Sequence, residues 1–94
     1  MSLQGHSVLI VESELSPFLA RLQAAVEDAG AQSSVVTCDP ATALARSRRF
    51  HFSAALINAE HRTIAKDLGI PILLYGKAEP PKAIVASLER VLGQ

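Results

Sequence analysis

The chain has 94 residues, 49% of them hydrophobic and only 4% aromatic, with nine basic and nine acidic side chains. That length predicts one domain, residues 1–94, burying roughly 60–65% of its unfolded surface in a core of Leu, Ile, Val and Ala. A formal net charge of zero leaves no electrostatic footprint for nucleic acid or an anionic membrane, and a single cysteine, Cys38, excludes an internal disulfide and a multi-cysteine metal site.

There is no secretory signal and no apolar run long enough to span a bilayer, so a cytoplasmic location is expected. Near-zero charge also permits self-association. Met1-Ser2-Leu3 is set aside as a remnant of expression and enters none of the predicted elements. Val8 to Val11 is an unbroken, β-branched apolar run, which predicts a strand buried on both faces of a parallel sheet. It stops at Glu12-Ser13-Glu14. In open α/β sheets ligands and chemistry collect at this carboxyl edge of the strands.

Ser16-Pro17 then supplies an N-cap and a first-turn proline. Leu15, Phe18, Leu19, Leu22 and Val26 recur at helical spacing, and Gly30 suits a left-handed cap beyond the helix. Ser33 to Thr37 is short and half polar, as a sheet edge requires. Asp39-Pro40 repeats the capping device and opens a helix to about Ser47, with Ala41, Leu44 and Ala45 as its apolar face. Arg46, Arg48, Arg49 and His51 follow; positive charge there complements the helix dipole.

A third strand is predicted over Phe52 to Ile57, ending at Asn58, and a short helix from Glu60 to Leu68, closed by Gly69. Ile70 to Tyr75 makes a fourth strand, with Pro71 where a missing amide is tolerated. Pro80 and Pro81 open a last helix whose stripe is Ile84, Val85, Leu88, Val91 and Leu92. Strand and helix alternate throughout. The fold class is therefore α/β, an open parallel sheet of about four strands with right-handed crossovers and helices on both faces.

In order and spacing, several segments carry a resemblance: Val8-Leu9-Ile10-Val11-Glu12-Ser13-Glu14, Glu27-Asp28-Ala29-Gly30, Pro40-Ala41-Thr42-Ala43-Leu44, Ser53-Ala54-Ala55-Leu56-Ile57-Asn58, and Lys77-Ala78-Glu79-Pro80-Pro81-Lys82-Ala83-Ile84. Together they resemble the receiver domains of two-component response regulators across essentially the whole chain. The resemblance implies a flavodoxin-like (CheY-like) sheet, here shortened to the order 2-1-3-4 from the family's 2-1-3-4-5. Only eleven residues separate Asn58 from Ile70, too few for the family's third helix and the approach to its fourth strand. The last strand aligns with the family's fourth, where Tyr75-Gly76 replaces a terminal Thr or Ser. It also aligns with the fifth, where Lys77 matches the family lysine; the sequence favours the latter.

In that family an aspartate at the end of the third strand accepts a phosphoryl group, two acids after the first strand hold Mg²⁺, and a lysine contacts the product. Metal and lysine offset the charge that develops when an anionic nucleophile meets an anionic donor. By position Glu12 matches one acid, Ser13 replaces the other, Asn58 stands at the phosphoacceptor position and Lys77 at the lysine. An amide has no anionic oxygen to attack phosphorus, and one carboxylate with Ser and Asn is a poor donor set for Mg²⁺.

The resemblance thus implies a degenerate receiver, not an enzyme. It would have lost phosphotransfer, keep weak or no Mg²⁺ binding and no other cofactor, and act through a protein partner or as a homodimer formed by an exposed sheet edge or apolar face. Two alternatives stay open. One is a residual phosphoryl- or Mg²⁺-sensing domain in which Asp39 or Glu60 substitutes for the aspartate. The other is a small-molecule-binding domain of the same form, against which the missing glycine-rich phosphate loop counts.

Plainer roles stand beside these. Glu12 reads equally as a solvated strand-end carboxylate, Glu14 as an early helix acid, Asn58 as a cap for the next helix, and Lys77 as an ion-pair partner for Glu12. Tyr75 is either an exposed recognition residue or an ordinary strand aromatic. Cys38 reads as a small hydrophobe, and His6, His51 and His61 have no metal-binding spacing.

Overall fold

The structure, a computed structural model, describes residues 3–12, 17–37, 40–76 and 78–93. The roles proposed for Ser13, Glu14, Leu15, Ser16, Cys38, Asp39 and Lys77 lie outside the described residues.

The run that anchors the sequence forms β1 (Ser7–Val11). Val8, Leu9, Ile10 and Val11 are all fully buried, because the strand has neighbours on both sides and side chains packed on both faces. It pairs in parallel with β2 (Ser33–Thr37), Leu9 beside Val35, and with β3 (Ala54–Asn58), Leu9 beside Ala55. β3 in turn pairs in parallel with β4 (Ile72–Tyr75), Leu56 beside Leu73. The result is an α/β fold on a small open parallel sheet.

Strand periodicity divides the core into two clusters. Val8 and Ile10 of β1, with Ala54 and Leu56 of β3, face helices α1 (Pro17–Asp28) and α4 (Pro81–Leu92). Leu9 and Val11, with Ala55 and Ile57, face α2 (Pro40–Arg49) and the short helix α3 (Ala65–Leu68). Helices therefore cover both faces. α1 buries Leu19, Leu22 and Val26, the stripe expected from its spacing.

Several boundaries differ from the sequence reading, each for a local reason. Leu3, set aside in the sequence reading, is fully buried in the α1–α4 cluster, and its N–H donates to the Ala29 carbonyl at 2.9 Å, plugging the end of α1. β3 begins at Ala54, the Ser53 N–H donating to the Ser7 carbonyl of β1 at 2.8 Å just ahead of the first pair, and Phe52 remains buried. β4 begins at Ile72, with the Pro71 carbonyl accepting from the Ala55 amide at 3.0 Å. The helix expected over 60–68 divides into a 3₁₀ turn, Ala59–Ile64, kinked at His61, followed by α3. Val91 is 37% exposed, so the buried stripe of α4 is Ile84, Val85 and Leu88. α2 runs on to Arg49, with Arg46, Arg48 and Arg49 exposed in its last turn.

Candidate functional site

The strand register brings three polar side chains into one row. Asn58 lies beside Tyr75 in the β3–β4 pairing, and one step beyond the Val11–Ile57 pair puts Glu12 beside Asn58. Glu12, Asn58 and Tyr75 follow Ile10, Leu56 and Leu73 by two positions, so by strand alternation all three continue the α1–α4 face at the carboxyl edge. They sit where the sheet architecture collects chemistry.

The row is closed to solvent. Glu12 is fully buried, Asn58 is 3% exposed and Tyr75 is 2% exposed. The Asn58 Nδ2 group donates to both oxygens of Glu12, at 3.1 Å to Oε1 and 3.0 Å to Oε2. The Tyr75 hydroxyl donates to Oε2 at 2.9 Å. The other end of the amide is also engaged, Oδ1 accepting from the Glu60 N–H at 2.9 Å. That bond fixes the amide orientation: with oxygen turned to the 3₁₀ turn, only N–H groups can face Glu12.

This geometry bears on the roles of Glu12, Asn58 and Tyr75. Glu12 is not a solvated strand-end carboxylate. Burying its charge costs several kcal/mol by general estimate, and the charge-assisted hydrogen bonds offset part of that. Asn58 both caps the following turn and holds Glu12. Tyr75 is not an exposed recognition residue, because its hydroxyl is bound to Glu12 and its ring stacks on Phe18, centroids 6.1 Å apart and planes at 25°. Burial first, then the hydrogen bond to Glu12 and the charge of that carboxylate, push the Tyr75 phenol well above its ordinary range. It stays a protonated donor throughout the pH range in which proteins usually work.

Among the described residues, this row offers Mg²⁺ one carboxylate, Glu12. The ion needs oxygen donors in octahedral array, whereas Asn58 presents N–H groups to the one carboxylate it faces. Among the described residues no group of three or more His, Cys, Asp or Glu side chains is placed to hold a metal. Glu60, one of two stand-in acceptors considered from sequence, is exposed and enters the row through its backbone N–H. No helix among the described residues is long and apolar enough to cross a membrane.

The contact missed by sequence reasoning is Tyr75 with Glu12. Its signal was present as parity: each residue lies two positions beyond a core-facing residue of its own strand. The pairing register that aligns the rows is a property of three strands together.

Comparison with known proteins gives no further identification: no family model, curated protein or solved structure matches the chain.

Proposed function

We propose that this chain is a signalling domain of receiver-like form that has lost phosphotransfer and works by binding protein, with a second copy of itself as one partner. The parallel strand pairings support the flavodoxin-like order 2-1-3-4 that this reading requires. The observation that carries the proposal is the hydrogen-bonded row of Glu12, Asn58 and Tyr75 at the carboxyl edge. At the place where a receiver keeps an aspartate open to a donor, this chain keeps an amide bound at both ends. An amide oxygen that already accepts a backbone hydrogen bond is a poor nucleophile, and its N–H groups bind the acid that would otherwise serve a metal. The pocket positions a turn and a strand end, and function passes to the surfaces around it.

Incubation with acetyl phosphate and Mg²⁺, read by intact mass, tests the loss of phosphotransfer. The expected spectrum is that of the unmodified protein. A single added phosphoryl group, abolished by substituting Glu60 or Asp39, would restore the phosphoacceptor alternative.

A further inference from the structure

The face formed by α1 and α4 carries a groove of about 650 Å³ whose floor includes Ala24 and Val85 and whose rim includes Arg21, Asp28, Lys82 and Glu89. None of these four charged side chains has an ion-pair or hydrogen-bond partner among the described residues. Each helix carries its pair seven residues apart, about 10.5 Å along the axis. Both helices return from parallel strands and therefore run in the same direction. The two cations, Arg21 and Lys82, share one end of the groove, and the two anions, Asp28 and Glu89, share the other.

This placement opposes local helix stability. Lys82 is in the first turn of α4, Asp28 is the last residue of α1 and Glu89 is near the end of α4. Each meets the helix-dipole end of its own sign, the unfavourable arrangement. The arginines at the end of α2, by contrast, complement its dipole and need no partner.

We infer that the α1–α4 groove is the interface of an antiparallel two-fold homodimer. A two-fold axis in the plane of this face, perpendicular to the helices, lays α1 against α1 and α4 against α4 in opposite directions. Arg21 then meets Asp28 of the second copy, Lys82 meets Glu89 of the second copy, and symmetry repeats both pairs. The same rotation sets each helix start against a helix end, relieving the dipole mismatch. An axis parallel to the helices would instead oppose Arg21 to Lys82 and Asp28 to Glu89, so the charge pattern selects one arrangement. The small side chains of the floor allow close approach of the two faces.

This inference deepens the interaction reading and rests on it only for the expectation of a protein partner. The test uses sedimentation of the wild type and of two variants, Arg21→Glu/Lys82→Glu and Asp28→Lys/Glu89→Lys, with circular dichroism to verify folding. The wild type is expected to show a concentration-dependent dimer that weakens with added salt. Each variant, now carrying one sign at both ends, is expected to dissociate about 100-fold or more readily, since like charges across an interface cost several kcal/mol. An equimolar mixture is expected to form the heterodimer.

A control of matched charge on another helix and the 3₁₀ turn, Arg48→Glu/Arg62→Glu, should dimerise as the wild type does. A wild-type protein monomeric at high micromolar concentration overturns the inference. So do a dimer insensitive to both variants, a salt-insensitive wild-type dimer, and a mixture of folded variants that stays monomeric. None of these outcomes bears on phosphotransfer, which the acetyl phosphate assay judges separately.

Discussion

Tyr75 is the only tyrosine in a chain without tryptophan, so its ionisation can be followed directly by ultraviolet absorbance. In the folded protein its phenol is raised well above the ordinary value of 10.0, while in the unfolded chain it titrates near about 10. Above that pH the unfolded state releases a proton that the folded state retains. The stabilisation is complete below pH about 10 and is lost as pH rises, by about 1.4 kcal/mol per unit. Tyrosinate absorbance should therefore appear together with loss of the far-ultraviolet circular dichroism signal. Ionisation at ordinary pH in a still-folded protein would contradict the buried Tyr75–Glu12 bond. Asn58 carries the complementary test. Asn58→Ala removes both hydrogen bonds to a buried carboxylate, so chemical denaturation should show a loss of about 3 kcal/mol. A loss within about 0.5 kcal/mol, ordinary for a surface change, would mean that Glu12 does not depend on Asn58.

At the level of elements, local chemistry explains much of what the sequence made legible. Val8 to Val11 could satisfy only a buried strand, and the spacing of Leu19, Leu22 and Val26 only one face of a helix. Gly69, read as the close of a helix, has φ +68° in the structure, with open space where a Cβ would stand. Gly69→Ala therefore isolates the backbone cost and should lower stability by about 1 kcal/mol in a denaturant titration. No change would mean that this turn does not require the left-handed conformation.

What stayed illegible depended on distant neighbours. Leu3 looked peripheral because its burial requires the far end of α1, and Val91 looked buried because periodicity cannot tell how far a neighbouring layer extends. Glu12 and Asn58 were visible as a pair of positions. The closure of their pocket was not, since it needs Tyr75 delivered by the β3–β4 register.

For the whole molecule, the carboxyl edge of a parallel sheet is where a ligand would be expected, and among the described residues Glu12, Asn58 and Tyr75 are buried there and hydrogen-bonded to one another. The α1–α4 face, whose Arg21, Asp28, Lys82 and Glu89 have no ion-pair partner among the described residues, is the surface on which the proposed interaction rests. The central claim is that the edge pocket is closed to metal and phosphoryl groups because an amide, Asn58, and not an acid, faces Glu12. Two-dimensional amide NMR during addition of Mg²⁺ and then beryllofluoride, on wild type and Asn58→Asp, tests it most directly. Beryllofluoride on an aspartate imitates a phosphoryl group. The account predicts no shifts in the wild type and shifts around Glu12, residue 58 and Tyr75 in Asn58→Asp. Wild-type shifts at those same residues would contradict it and return the chain to phosphoryl sensing.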